Sequence, residues 1–157
     1  SLLLGKHGSI RSALAKTQNS TQAVLVLATH GLPVDLTLDS AVPSLLSVED
    51  DELTVVSSME VLGYDLSDTV VMLSACDTAA GFIDDYTQMF TVFVKSFANA
   101  GSEVIVASLW PVKSVASRLY SEALFLNWSR DDRPVDASAN VKHELGEDGF
   151  PFVMVYP

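Results

Sequence analysis

Four short stretches of the chain are almost continuously apolar, and helical spacings of apolar residues lie between them. Residues 23–29 (AVLVLAT), 69–75 (TVVMLSA), 103–109 (EVIVASL) and 152–156 (FVMVY) have the pattern of strands covered on both faces. Pro151 stands at the entrance of the last, where a strand tolerates a residue without an N–H. Residues 9–18 place Ile10, Ala13 and Leu14 on one helical face. Residues 85–99 place Met89, Phe90, Phe93, Val94 and Phe97 at i, i+3, i+4 spacing and stop before Gly101. Residues 113–128 offer Val115, Leu119, Ala123 and Leu126 as an inward face, and 135–145 predict a shorter helix.

Buried strands alternating with helices imply an α/β fold with a mostly parallel sheet covered on both sides. The acidic stretch 36–58 interrupts this order and predicts an insertion with a small hairpin and a capping Ser before a short helix. Its Glu49, Asp50, Asp51 and Glu52 read as a solvated charge run. Internal repeats and low-complexity tracts are absent.

In such sheets chemistry gathers beyond the carboxyl ends of the strands. There the chain delivers Thr29-His30-Gly31, Cys76-Asp77-Thr78 and Trp110-Pro111. If strands 23–29 and 69–75 are neighbours, His30 and Cys76 face each other. An imidazole beside a thiol keeps the sulfur as thiolate, or takes its proton on attack, and later protonates a leaving amine. Gly31 brings an N–H close to a ligand with no Cβ in the way. With the N–H of Cys76 it would form an oxyanion hole. Asp77 works against the thiolate unless its side chain points away. Taken singly, each residue has a plainer reading: a lone Cys ending a strand is usually a buried small residue. His7 and His143 lie in polar contexts and read as surface residues; Trp110 reads as core or as a pocket wall.

Composition narrows the function classes. Of 157 residues, 48% are hydrophobic and 18% charged, a globular balance sized for one domain. The net charge of −11 leaves no basic footprint for nucleic acid. One cysteine makes no internal disulfide, and three scattered histidines seed no zinc site, so neither metal nor cofactor is expected. No apolar run is long enough to span a bilayer, so no membrane partner is expected and a reducing, cytoplasmic setting is the default. A nucleotide-binding reading fails because no glycine-rich phosphate loop follows any strand.

Four segments together carry a family likeness: VLVLATHG, DLSDTVVMLSACDTAAG, FANAGSEVIVASLWPV and GFPFVMVYP. In this order they resemble the signatures of the CHAT domain, a caspase-like cysteine peptidase family of clan CD. It is often attached to tetratricopeptide repeats and is related to separase. The opening LLLGKHGSIRSAL resembles the loop and helix that precede the family's histidine strand. The separation of 46 positions from 30 to 76 is also close to the ~50 of caspases. The resemblance implies a three-layer αβα sandwich over residues 1–157, a single CHAT domain or the C-terminal major part of one. It implies a His30–Cys76 dyad, an oxyanion hole from the Gly31 and Cys76 backbone, and substrate contacts at Ser108, Leu109 and Trp110.

Two departures follow. The family's N-terminal central strand precedes the LLLG region and is missing from this chain, so another segment or a repeat domain is expected to complete the sheet. The stretch before the last strand, GEDGFPF, is compressed where the family has a longer helix and an aromatic pair. Two functions are therefore carried forward: a cysteine endopeptidase acting on a protein or peptide substrate, and a latent, partner-binding regulatory module.

Overall fold

A computed structural model describes residues 9–18, 20–21, 23–29, 31–32, 42–75, 83–108, 112, 114–127, 134–146 and 152–157. Their strands are β1 (Ala23–Thr29), β2 (Gly31–Leu32), β3 (Ser44–Glu49), β4 (Glu52–Ser57), β5 (Thr69–Ala75), β6 (Val104–Ser108) and β7 (Phe152–Val155). Their helices are α1 (Ile10–Thr17), α2 (Ser58–Val61), α3 (Ile83–Asn99), α4 (Ser114–Asn127) and α5 (Pro134–Leu145).

The main sheet has the order β1-β5-β6-β7. β1, β5 and β6 are parallel, and β7 runs antiparallel to β6. Alternation along each strand sends neighbours to opposite layers. Leu25, Leu27, Val71, Leu73, Ile105 and Ala107 pack with Ile10 and Leu14 of α1 and Phe93 and Phe97 of α3. Val70, Met72, Val104, Val106 and Phe152 pack instead with Ala116, Tyr120 and Leu124 of α4 and Ala137 and Val141 of α5. This is the caspase-like αβα sandwich, and it explains why these strands are apolar at successive positions.

A second sheet, β2-β3-β4, is antiparallel and occupies the predicted insertion. Its hairpin turns at Asp50 and Asp51, both at positive φ (50° and 66°), so the acidic run is a tight turn as well as a charged one. Ser57 caps α2 by accepting the Glu60 N–H, as predicted. Gly101 stops α3 at φ 96°, its N–H donating to the Ala98 carbonyl and that of Ser102 to Phe97.

One predicted face is wrong. Of its four residues only Ala123 packs against the core; Val115, Leu119 and Leu126 of α4 are exposed, and the buried stripe is Ala116, Tyr120 and Leu124. Both stripes are apolar at helical spacing, so period alone could not choose between them. Packing chose the one carrying Tyr120, whose ring stacks on Phe152 at 4.0 Å between centroids. Phe152→Ala should therefore cost about 3–5 kcal/mol in urea unfolding. Leu126→Ala, at a position 86% exposed, should stay within about 0.5 kcal/mol. Equal costs would contradict this packing.

Candidate active site

The carboxyl edge of the main sheet is fixed by register. β1 and β5 pair residue for residue from Ala23–Thr69 to Thr29–Ala75. The next chain positions are His30 and Cys76, which, with Leu109 and Trp110, lie outside the described residues. β6 joins the other side of β5, with Leu73 opposite Ala107. Ser108 ends β6 as a buried residue, opposite Phe152.

The backbone on both sides of position 30 is tied to β3. The Thr29 hydroxyl donates to the Leu46 carbonyl. Gly31 pairs with Leu45, and Leu32 with Ser44. The chain thus belongs to the main sheet at Thr29 and to the small sheet at Gly31, and it is fastened to β3 at both residues.

The small sheet is in turn anchored to α1. The Ile10 N–H donates to Ser47 Oγ at 3.0 Å, and Ser9 Oγ donates to Glu49 Oε1 at 2.8 Å. Arg11 donates to Glu49 at 2.9 Å, to both carboxylate oxygens of Glu60, and to the Val55 carbonyl at 2.7 Å. The Glu60 hydrogen bond is the main cause that holds the Arg11 guanidinium above its ordinary pKa, with Glu49 adding to it. The Ser9 hydroxyl, then Arg11, holds Glu49 below its ordinary value of 4.5.

On the opposite face, the Ser74 and Ser117 hydroxyls hydrogen-bond each other, joining β5 to α4 two residues before position 76. Tyr120 Oη and Ser138 Oγ lie 2.6 Å apart, joining α4 to α5. Burial pushes the Tyr120 phenol up, and Ser138 partly offsets it. His143 is exposed on α5, as read from the sequence.

Sequence reasoning gives no role to Thr29, which it names only as a strand end, and does not single out Ser74 or Ser117. The available signal was a hydroxyl inside or at the end of an otherwise apolar buried strand, because such a group needs a partner.

Two parallel strands thus end side by side, with His and Cys next in the sequence. The CHAT domain family model matches residues 1–149. The chain belongs to the CHAT domain family. That places it among caspase-like relatives of the clan CD cysteine peptidases. No curated protein matches it. For this CHAT domain, among the described residues, no helix is long and apolar enough to cross a membrane.

The α1–hairpin anchor carries a pH signature. Because the folded carboxylate of Glu49 has a depressed pKa, its stabilisation is complete above 4.5 and disappears as pH falls through the depressed value. Thermal melts of Glu49→Gln should lie below wild type at pH 7, and the two should converge at acidic pH. A gap independent of pH would contradict the anchor.

Proposed function

We propose that this CHAT domain is a cysteine endopeptidase, with Cys76 as nucleophile and His30 as general base and acid. The observation that carries the reading is the in-register parallel pairing that ends at Thr29 and Ala75. One step further along both strands are an imidazole and the chain's single thiol.

In this reading the Cys76 thiolate attacks the scissile carbonyl carbon, and the carbonyl electrons move onto oxygen. The backbone N–H groups of Gly31 and Cys76 stabilise that oxyanion. The intermediate collapses, the C–N bond breaks, and the His30 imidazolium gives its proton to the departing amine. Water, deprotonated by His30, then attacks the thioester, releasing the acid product and restoring the thiolate. In this reading Ser108, Leu109 and Trp110 contact the substrate, with Ser108 contributing backbone because its side chain is buried. Chemistry of this kind needs no metal or cofactor.

A fluorescent peptidyl electrophile tests the assignment. Wild type should be labelled and Cys76→Ala should not. His30→Ala should lower kcat/KM for a cleaved peptide by about 10³-fold. Equal labelling of wild type and Cys76→Ala would remove the nucleophile, and would leave the latent, partner-binding module as the better reading.

A further inference from the structure

The β3–β4 hairpin carries a surface that the catalytic reading does not use. Cross-strand pairs Leu46–Val55 and Val48–Leu53 lie on one face of it. On that face Leu53 is 73% exposed and Val55 45%, while Leu46 and Val48 are half-buried. Met59 (62%) and Leu62 (41%), in and just after α2, extend the exposed apolar run in sequence. Half of the large exposed hydrophobics among the described residues therefore fall between positions 53 and 62. Isolated apolar residues on a surface need no explanation, but a clustered set does.

β4 is also the outer strand of its sheet. In a two-residue hairpin closed at Glu49–Glu52, the backbone groups of Leu53 and Val55 point away from β3. The Val55 carbonyl bears this out, since it accepts from Arg11 instead of from β3. An outer strand with exposed apolar side chains is a template for another strand.

The electrostatics select the occupant. Glu49, Asp50, Asp51 and Glu52 form the hairpin tip, and Glu60 lies beside the same edge through Arg11. Among the described residues Asp50, Asp51 and Glu52 make no ion pair. The edge already holds one cation, a guanidinium shared by the Val55 carbonyl, Glu49 and Glu60. An acidic or neutral strand would lack that complementarity, and a second copy of this −11 chain would bring the wrong charge.

We propose that the outer edge and apolar face of β4 bind an extended, basic protein segment whose apolar side chains alternate with lysine or arginine. The segment adds as a fourth strand beside β4. Its apolar side chains cover Leu53 and Val55, and its cations meet the acidic tip and Glu60. Arg11 gives up one hydrogen bond to the Val55 carbonyl when the strand docks.

The test uses the full chain and two synthetic twelve-residue probes, one alternating Lys and Val, the other Glu and Val. Fluorescence anisotropy at low salt should show the Lys-Val probe binding at least tenfold more tightly. Its bound state should slow hydrogen exchange at the Leu53 and Val55 amides. Asp50→Asn/Asp51→Asn keeps side chains suited to the turn and should weaken binding and its salt dependence. Leu53→Ser, at an exposed position, should weaken it about tenfold with the melting temperature unchanged. Equal binding of both probes, absence of binding, or protection at Leu53 only through dimerisation in sedimentation would each overturn the proposal. The readout is binding and not proteolysis, so it is independent of the cysteine–histidine reading.

Discussion

The parallel ladder between β1 and β5 is the constraint on which the rest depends. Seven positions pair without a slip, from Ala23–Thr69 to Thr29–Ala75. In a strand a one-residue slip exchanges the two faces. Here it would turn Leu25 and Leu27 away from α1 and α3, so both apolar layers enforce the register. The same register makes the two strands end level. Packing energy in the core thus decides that Thr29 and Ala75 end side by side at the edge.

The small sheet adds a second restraint. Thr29 and Gly31, before and after position 30, are held by β3 through a hydroxyl bond and a strand pair. β3 is held in turn by Ser9, Ile10 and Arg11 of the first helix and its cap. β3 is therefore a bracket between α1 and the backbone at Thr29 and Gly31. On β5, the Ser74–Ser117 bond plays the comparable part against α4. Each restraint spends a buried or half-buried polar group within a few residues of the edge, where pairing leaves little freedom for misalignment.

The strands were legible because full burial leaves continuous apolar runs, and their limits agree with the structure to within about a residue. The CHAT signatures were legible for the related reason that strand ends carry chemistry in a fixed order. α4 was misread because Val115-Leu119-Leu126 and Ala116-Tyr120-Leu124 are both apolar stripes, and only tertiary packing against the sheet, α5 and the Phe152 ring decides between them. β2 is two residues long, too short for any periodicity. The role of Asp50 and Asp51 as a turn was hidden because their charge suggested a solvated run, and positive φ leaves no hydropathy signal. Arg11 and its carboxylates meet across 38 and 49 residues of sequence, which no local pattern records. At the site itself, His30, Gly31 and Cys76 were named from strand ends and family likeness, while the hydroxyls that fasten their flanks depend on tertiary contact.

If His30 and Cys76 act as one unit, as proposed, the pH dependence of alkylation at Cys76 reports it most directly. The chain has a single cysteine, so the rate of iodoacetamide reaction reports on that sulfur alone. Paired with an imidazole, the thiol should react with an apparent pKa below the about 8.5 of a free cysteine. His30→Ala should move that pKa upward and slow the reaction at neutral pH. Superimposable profiles for wild type and His30→Ala would show that the two strand ends share no chemistry.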